Sequence, residues 1–399
     1  MEDTSESQGK VEAAFAWLRA EARRLASAAR FTTDTGLVFY YPVAGGDAYP
    51  AFYLRDFVYM YASAPEFFPE AEVRPVLDLV LRSVRADGWA PEKIRANGEA
   101  MYRCHGEGDV IDSGPFLVQL VAAYVRATDD EAVARAHLDT LVRALFVLPR
   151  EAETGLIWVD PARPHTAYGF TDTIAKTGRE LFCSLLMFEA LGTVAEWAAR
   201  FGRDDWRRKC EDWRAQIQRH LPLLWDDAKG MFLAASQDCR QIDIWGSIYA
   251  CRVGAATPDQ RRAIVGWLGA NRALYEYEGH LRHLPLPEFW QRQIHLPHHR
   301  FGPGEFQNGP FWSTPSGWYA ELLEAETPGA GVAFLCGLVE AFRRIGVWEC
   351  IGPDGYRRIR DNLSSVLLPY GAFKRIWRSA NNVSDRPQAA FLHGPGHGM

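Results

Sequence analysis

The sequence lacks paired-cysteine motifs, long apolar runs and blocks of like charge. None of its seven cysteines forms a CxxC pair, so neither a disulfide framework nor a zinc cluster is predicted, and no metal or cofactor is expected. No apolar run approaches the roughly 20 residues that cross a bilayer, and the polar residues 1–10 lack the apolar core of a signal peptide. The formal net charge is -6 and no basic patch is present, which argues against a nucleic-acid partner. These absences predict a cytoplasmic protein without a membrane partner and leave its oligomeric state undetermined.

Aromatic residues are abundant in this chain of 399 residues, with 14 Trp, 15 Tyr and 22 Phe. A large core accounts for most of them. Several, however, stand beside polar groups in predicted loops, as at Phe52-Tyr53, Phe306 and Phe311-Trp312. Because an aromatic face suits the apolar face of a sugar ring, we expect a small carbohydrate as the ligand.

Helical periodicity dominates the sequence. Residues 203–220 are highly charged with one apolar stripe, typical of an outer helix, whereas residues 241–253 are apolar nearly all round, typical of a helix enclosed by protein. Strand signals are short, at 37–41 and around 156–159, and indicate hairpins within loops. The predicted helices span residues 9–29, 55–64, 72–86, 112–127, 130–148, 174–201, 203–220, 241–253, 257–269, 312–326, 330–345 and 361–371.

Charged and enclosed helices alternate along the chain. Six outer and six inner helices in alternation predict an all-α fold, an (α/α)6 barrel or six-hairpin toroid, with short β-hairpins in the loops at one end. No linker-like composition divides the chain, so we predict one domain over residues 1–399, with flexible tails at 1–8 and 378–399. All six inner helices then run parallel, which places their N-termini and the positive ends of their dipoles at one end of the barrel.

Polar and aromatic side chains stand at the predicted N-termini of these inner helices. The longest predicted loops, such as 87–111 and 270–311, lie at the same end. Acidic residues there are compatible with ordinary helix caps, but caps do not explain the long aromatic loops. A ligand pocket explains both features. Its predicted lining residues are Tyr53, Arg55, Asp56, Asp112, Gln241, Asp243, Gln307, Phe311 and Trp312.

Asp172 and Glu349 are the candidate catalytic carboxylates. Cleavage of a glycosidic bond needs a general acid at the leaving oxygen and a second carboxylate, about 6.5–9.5 Å away in inverting enzymes and about 5–5.5 Å away in retaining ones. Asp172 follows a Gly-Phe-Thr turn, and Glu349 precedes the turn formed by Pro353-Asp354-Gly355. A helix cap at Asp172 and a surface ion pair at Glu349 are the structural alternatives. Glu107 and Glu305, in loops at the same end, compete for either catalytic role.

Four short motifs follow one another between residues 50 and 375. They are Tyr-x-Arg-Asp at 53–56, Gly-Phe-Thr-Asp at 169–172, the segment 307–312 together with Trp318, and Glu349 followed by Pro-Asp-Gly. In this order they resemble the motifs of the six-hairpin glycosidases, particularly the glucoamylase-type family 15 and the processing α-glucosidase and mannosylglycerate hydrolase family 63.

The chain also departs from the pattern of those families. Asn308 stands where the family has an arginine, and the turn at 169–172 has one extra residue. The segment Ser313-Thr314-Pro315-Ser316 replaces an Asn-rich stretch. The resemblance is therefore closer for the superfamily than for either family, and the substrate specificity is left open.

The resemblance implies an inverting, exo-acting glycoside hydrolase that removes a terminal, α-linked sugar from a small glycoside or oligosaccharide. By this likeness Arg55 and Asp56 hold the terminal sugar, while Asp172 protonates the leaving oxygen and Glu349 activates water. The segment 307–312 and Trp318 shape the sugar site.

Other residues leave alternatives open. Lys176, predicted one turn inside the sixth helix, either binds an anionic aglycone or pairs with Glu180. His295, His298 and His299 are interpreted as part of a polar lid, because a Leu-Pro pair breaks the spacing that a metal site would need. A sugar epimerase or isomerase on the same barrel would use paired histidines, but His280, His283 and those at 295–299 crowd one loop instead of facing each other from separate inner helices. A non-catalytic carbohydrate-binding protein would keep both carboxylates as structural groups.

Overall fold

The computed structural model describes residues 4–46, 48–296 and 301–381. Within these ranges, twelve α-helices form the bulk of the structure. In chain order they are α1 (Thr4–Ala28), α2 (Leu54–Ser63), α3 (Glu70–Arg82), α4 (Ser113–Thr128), α5 (Glu131–Phe146), α6 (Leu181–Arg200), α7 (Asp204–His220), α8 (Ile244–Arg252), α9 (Pro258–Ala270), α10 (Ser316–Glu326), α11 (Ala330–Ile345) and α12 (Ser364–Asn381).

The even-numbered helices form a closed ring. α2 packs against α4, α4 against α6, and the sequence continues through α8, α10 and α12, which packs back against α2. The odd-numbered helices lie outside this ring, as α5 does beside α4 and α6, and α11 beside α10 and α12. Six helical hairpins thus close into an (α/α)6 barrel, and the predicted fold class is confirmed.

Burial follows the charge pattern of the helices. On the inner helix α8, the residues Ile244 to Cys251 are all buried. The buried residues of the outer helix α7 are Cys210, Trp213 and Ile217, which share one face. Burial of apolar surface stabilises a helix by roughly 25 cal/mol per Å². This stabilisation comes from one apolar stripe on α7 and from nearly the whole surface of α8.

The inner helix α6 is long and apolar enough to cross a membrane by length and composition alone. Its most apolar 18-residue window is 78% buried within the protein. One such helix is a weak indication of a membrane span, because the central helix of a packed barrel meets the same criterion.

Short antiparallel strands occupy the loops between helices. They form one three-stranded sheet, β3-β4-β5, and the pairs β1-β2, β6-β7, β8-β9, β10-β11 and β12-β13. The strands are β1 (Arg30–Thr32), β2 (Val38–Tyr40), β3 (Ala51–Tyr53), β4 (Lys93–Arg95), β5 (Ala100–Met101), β6 (Trp158–Val159), β7 (Gly178–Arg179), β8 (Trp225–Asp226), β9 (Met231–Phe232), β10 (Glu276–Tyr277), β11 (His280–Leu281), β12 (Trp348–Ile351) and β13 (Arg357–Arg360).

The two predicted strand segments correspond to β2 and β6. β2 forms the expected hairpin with β1, but β6 pairs with β7, so that the pair closes the base of a long loop over residues 160–177. That loop carries Asp172. Glu349 lies on β12, which forms a hairpin with β13 across the predicted turn, where the N–H of Gly352 donates to the carbonyl of Tyr356.

The predicted start of the sixth helix at residue 174 is wrong. α6 begins at Leu181, and the side chain of Glu180 caps it by accepting a hydrogen bond at 2.6 Å from the N–H of Cys183. Gly178 adopts the left-handed conformation (φ 79°), which interrupts any helix through this segment. Lys176 therefore lies in the extended approach to α6 and not within its first turn.

Both predicted tails overlap helices. Residues 4–8 belong to α1 and residues 378–381 to α12, which continues ten residues beyond its predicted end. The rest of the predicted tails, 1–3 and 382–399, lies outside the described residues. Buried apolar residues from Ala14 to Ile376 form one continuous core cluster. A single domain over the whole chain stays a prediction.

Candidate active site

A cavity of about 630 Å³ lies at the end of the barrel where the inner helices begin. This volume falls within the range of small-molecule sites. The loops before α2, α4, α6, α10 and α12 all contribute to its walls, so that residues distant in sequence meet there. Its polar lining is Tyr49, Tyr53, Arg55, Asp56, Glu92, Lys93, Cys104, His105, Asp172, Thr173, Gln307, Glu349 and Arg358, and its aromatic lining is Phe170, Phe301, Phe306 and Trp312.

Asp172 directly follows the short 3-10 turn Gly169–Thr171, in the loop that β6 and β7 close. It caps no helix. The amide of Gln307 donates to its Oδ1 at 2.7 Å, and the same amide donates to the carbonyl of Gly169 at 3.1 Å. Its Oδ2 accepts a hydrogen bond from the thiol of Cys104 at 3.5 Å. One oxygen is thus fixed by the protein, and the other lies beside a weak donor.

Glu349 is held independently of Asp172. The hydroxyl of Tyr49 donates to its Oε1 at 2.8 Å, and Nε of Arg358 lies 3.4 Å from its Oε2. Burial raises the pKa of this carboxyl to about 8, although the hydrogen bond from Tyr49 and the charge of Arg358 oppose the rise. The expected surface ion pair is therefore a buried one, since Glu349 is only 4% exposed.

Arg55 is buried between acidic side chains. Its Nε donates to Oδ2 of Asp112 at 2.9 Å, and its Nη1 lies 3.8 Å from Oδ2 of Asp56. Burial opposes the guanidinium charge, but Asp112, Asp56 and further carboxylates outweigh it and hold the pKa of Arg55 well above its usual value. Burial, partly offset by Arg55, raises the pKa of Asp56 to about 6. Arg55 therefore presents a fixed positive charge to the cavity.

The glycine at 169 is required by a close approach and not only by a turn. A Cβ atom there would lie 1.6 Å from Cζ of Arg55, so that any side chain would displace the guanidinium. The N–H of Gly169 also donates to Oδ2 of Asp112 at 3.0 Å. The Asp172 turn and the Arg55 pair are thus parts of one packed unit.

Asp112 does not line the cavity, although the sequence predicted that it binds substrate. It is 1% exposed, and its Oδ2 is occupied by Arg55 and by the backbone of Gly169. Its role in the structure is to position Arg55.

Lys176, Gln241 and Asp243 also lie outside the cavity. Nζ of Lys176 is 2.6 Å from Oε1 of Glu180, and both side chains are buried, so the pairing alternative holds and the predicted aglycone contact is wrong. Gln241 donates to Oε2 of Glu288 at 3.0 Å. Asp243 caps α8 and accepts a hydrogen bond from the N–H of Gly246 at 2.9 Å.

Two aromatic residues of the predicted wall face away from the cavity. The ring of Phe311 packs against Tyr277, and its backbone pairs with Ile351. Trp318 lies inside the barrel, with ring centroids 5.7 Å from Tyr59 and 5.1 Å from Tyr249. Trp312 and Gln307 do line the cavity, as do Tyr53, Arg55 and Asp56.

The competing carboxylates are both on the surface. Glu107 is 66% exposed at its side chain and lies 3.6 Å from Arg163, and Glu305 accepts a hydrogen bond from the N–H of Gly302. Among the histidines that compete for other roles, His280 and His283 are buried away from the cavity and His295 is exposed. His298 and His299 lie outside the described residues.

Several cavity residues are absent from the sequence prediction, and the clearest is Glu92. It is 2% exposed, neither of its carboxylate oxygens has a hydrogen-bond partner among the described residues, and Nζ of Lys93 lies 3.4 Å away. Burial raises its pKa to about 7, against the charges of Lys93 and Arg55. The pair lies in the long loop 87–111, from which the sequence pointed to Glu107 and not to Glu92.

The other missed residues have weaker sequence signals. Tyr49 and Phe301 stand in loops with no distinguishing spacing. Arg358 follows the Pro-Asp-Gly turn on β13, but the hairpin register pairs it with Cys350, so its contact with Glu349 could not be deduced from cross-strand pairing. Cys104 and His105 are adjacent polar residues in the long loop, with no partner nearby in sequence.

No model of a known protein family and no curated protein matches this sequence. Solved structures do match in fold. A rhamnosidase from Klebsiella oxytoca with rhamnose bound superposes with a TM-score of 0.66 at 15% identity, covering 91% of this chain and 64% of the rhamnosidase. The chain thus spans less than two thirds of that enzyme's length.

Two further solved structures are covered almost completely. A glycoside hydrolase family 63 mannosylglycerate hydrolase from Thermus thermophilus, in complex with Tris and D-glycerate, has a TM-score of 0.62 at 15% identity, with 90% of this chain and 100% of that chain covered. A glucoamylase from Saccharomycopsis fibuligera has a TM-score of 0.62 at 11% identity, with 93% and 96% covered. The predicted resemblance to the six-hairpin glycosidases is therefore confirmed in fold.

Proposed function

We propose that this protein is an inverting, exo-acting glycoside hydrolase that removes a terminal, α-linked sugar from a small glycoside or oligosaccharide. The observation that carries the proposal is the meeting of Asp172 and Glu349 in one cavity, each held by its own partner. The cavity also contains Arg55 and Asp56, the pair that the family resemblance assigns to sugar binding. The fold shared with a rhamnosidase, a mannosylglycerate hydrolase and a glucoamylase adds support.

In this proposal Asp172 donates a proton to the leaving glycosidic oxygen, and Glu349 accepts a proton from the attacking water. Gln307 fixes Oδ1 of Asp172, which leaves Oδ2 to carry the transferred proton. Tyr49 orients Glu349 through its hydroxyl. Because these anchors are separate, each carboxylate keeps its own orientation in the cavity.

The filled interior of the barrel supports exo action. Beneath the cavity the interior is filled by stacked aromatic rings, with Tyr168 and Phe182 at 3.8 Å between centroids and Trp318 at 6.1 Å from Phe182. A glycan chain cannot pass through such an interior, which favours binding of a chain end in the cavity. Trp312 and Phe306 offer apolar faces to that terminal sugar.

The test is release of free monosaccharide from a panel of aryl α- and β-glycosides and glycosyl-glycerates, with the first-formed anomer identified by proton NMR. We expect Asp172→Asn and Glu349→Gln each to lower kcat by about 100-fold or more. Asp160→Asn, in the same loop as Asp172, and Glu107→Gln are matched controls, since both side chains are exposed, and both are expected to retain full activity.

Activity that survives both catalytic substitutions would overturn the proposal. Epimerisation of a free sugar would point instead to the isomerase alternative, and tight sugar binding without turnover to a binding protein. If the released sugar has the same anomeric configuration as the substrate, the protein is a glycoside hydrolase but a retaining one.

A further inference from the structure

Three potential metal ligands of different chemistry meet in the cavity wall. Sγ of Cys104, a ring nitrogen of His105 and a carboxylate oxygen of Asp172 all lie within 4.8 Å of one another. A tetrahedral zinc ion with bonds of about 2.0–2.3 Å holds its ligand atoms about 3.5 Å apart. Sγ of Cys104 is already 3.5 Å from Oδ2 of Asp172. Small side-chain rotations therefore complete a three-ligand site.

The loop that carries two of these ligands is anchored to the loop that carries the third. The N–H of His105 donates to Oγ1 of Thr166 at 3.1 Å, and that hydroxyl donates back to the carbonyl of His105. The next residue, Gly106, forms a β-bridge with His165. Since Thr166 and His165 lie in the loop of Asp172, the ligand spacing is built into the backbone.

The charge at this site favours a cation. Within the described part of the chain, Asp172 forms no ion pair, and its Oδ1 is held only by the neutral amide of Gln307. The lysine and arginine side chains of the cavity each pair with a carboxylate other than Asp172. The pairs are Arg55 with Asp112, Lys93 with Glu92 and Arg358 with Glu349.

We propose that Cys104, His105 and Asp172 bind a divalent cation that prefers sulfur and nitrogen ligands, such as Zn²⁺. Thiolate and imidazole ligands select Zn²⁺ over Mg²⁺ and Ca²⁺, which prefer oxygen. As the sulfur–metal bond forms, the thiol of Cys104 releases its proton to the solvent. Because all three residues line the cavity, the remaining coordination position faces it and is filled by water.

One consequence concerns activity and rests on the proposed function. A zinc ion on Asp172 occupies the oxygen that carries the transferred proton, so bound Zn²⁺ inhibits hydrolysis. The binding itself does not depend on the reaction that this protein catalyses, and it is measured separately.

The test of binding is isothermal titration calorimetry of the full chain with ZnCl2, MgCl2 and CaCl2, in a buffer free of thiols and chelators. We expect one Zn²⁺ per chain with a micromolar or lower Kd, and no heat with the other two ions. Cys104→Ser and His105→Gln are each expected to weaken zinc binding at least 10-fold. Cys336→Ser is the matched control, because all seven cysteines are free thiols and Cys336 lies on the outer helix α11, away from the cavity.

A spectroscopic readout identifies the ligand atom. With Co²⁺ in place of Zn²⁺, a thiolate-to-cobalt charge-transfer band is expected in the wild type and in Cys336→Ser but not in Cys104→Ser. His105→Gln keeps a folded reference if the cysteine variant does not fold. Unchanged zinc affinity in both cavity variants, or an equal loss in Cys336→Ser, overturns the proposal.

The two proposals fail in different ways. Stoichiometric zinc binding by a protein that hydrolyses no glycoside keeps the metal site and rejects the hydrolase. Hydrolysis that is insensitive to zinc, in a protein that gives no heat of zinc binding, rejects the metal site alone.

Discussion

At Glu349, burial and hydrogen bonding act on one carboxylate in opposite directions. Burial, helped by the charges of Asp56 and Asp172, raises its pKa to about 8, while Tyr49 and Arg358 lower it. A general base must be deprotonated in the free enzyme. We therefore expect kcat/KM to rise with pH through about pH 8, an alkaline position for a carboxylate.

The substitution Tyr49→Phe tests this assignment. It removes the hydrogen bond that stabilises the ionised carboxylate, so the rising limb of the kcat/KM profile shifts to higher pH. Tyr277→Phe, a tyrosine outside the cavity, leaves the limb in place. If kcat/KM instead falls through pH 8 and Tyr49→Phe moves that falling limb, Glu349 is the proton donor and the two catalytic roles are exchanged.

Sequence predicted the centre of the site better than its surroundings. Asp172, Glu349 and Arg55 belong to local motifs with characteristic neighbours, and all three line the cavity. Glu92 and Cys104 carry no such signal, since their importance comes from burial and from contacts with distant segments. Burial of a single polar side chain in a long loop cannot be deduced from local spacing.

At the scale of elements, hydrophobic periodicity located twelve helices but misplaced the start of α6. Lys176 and Glu180 have the four-residue spacing of a helical ion pair, and the same spacing joins them in the extended segment before α6. The left-handed backbone at Gly178 and the helix cap at Glu180 are what distinguish an extended segment here from a first helical turn. Asp243 raises the same question, because a cap residue and a substrate ligand look alike in sequence.

Asp243→Ala separates those two roles. Asp243 is fully buried, caps α8, and lies 3.8 Å from Nδ1 of His283. Burial alone would raise the pKa of Asp243, but its contacts with His283 and Lys176 outweigh burial and lower the pKa. The ionised carboxylate is therefore stabilised by its buried neighbours. Its removal is expected to destabilise the fold by roughly 3 kcal/mol, measured by urea unfolding.

The exposed Asp259→Ala on α9 is the control for Asp243→Ala, with an expected change below about 0.5 kcal/mol. An increase in KM without a loss of stability would restore Asp243 as a substrate ligand.

At the scale of the whole molecule, the cavity end of the barrel holds several carboxyl groups whose pKa is raised by burial. Burial raises the pKa of Asp56 to about 6, of Glu92 to about 7 and of Glu349 to about 8. Below about pH 4 both folded and unfolded chains bind these protons. As pH rises towards 8, the unfolded chain loses its protons first, so the folded state loses relative stability. At neutral to alkaline pH these carboxyl groups therefore lower the stability of the folded state, and packing in the rest of the barrel offsets this loss.

Glu92→Gln measures this cost at one position. Burial raises its pKa from 4.5 to about 7, which corresponds to at most about 3 kcal/mol of lost stability above pH 7. We expect the variant to be more stable than the wild type in urea unfolding at pH 8, and the difference to shrink towards pH 5. Glu196→Gln, an exposed position on α6, should show no such dependence. If Glu92→Gln is equally or less stable at pH 8, the ionised carboxylate of Glu92 supports the fold through Lys93, and the alkaline loss of stability must come from Glu349 and Asp56.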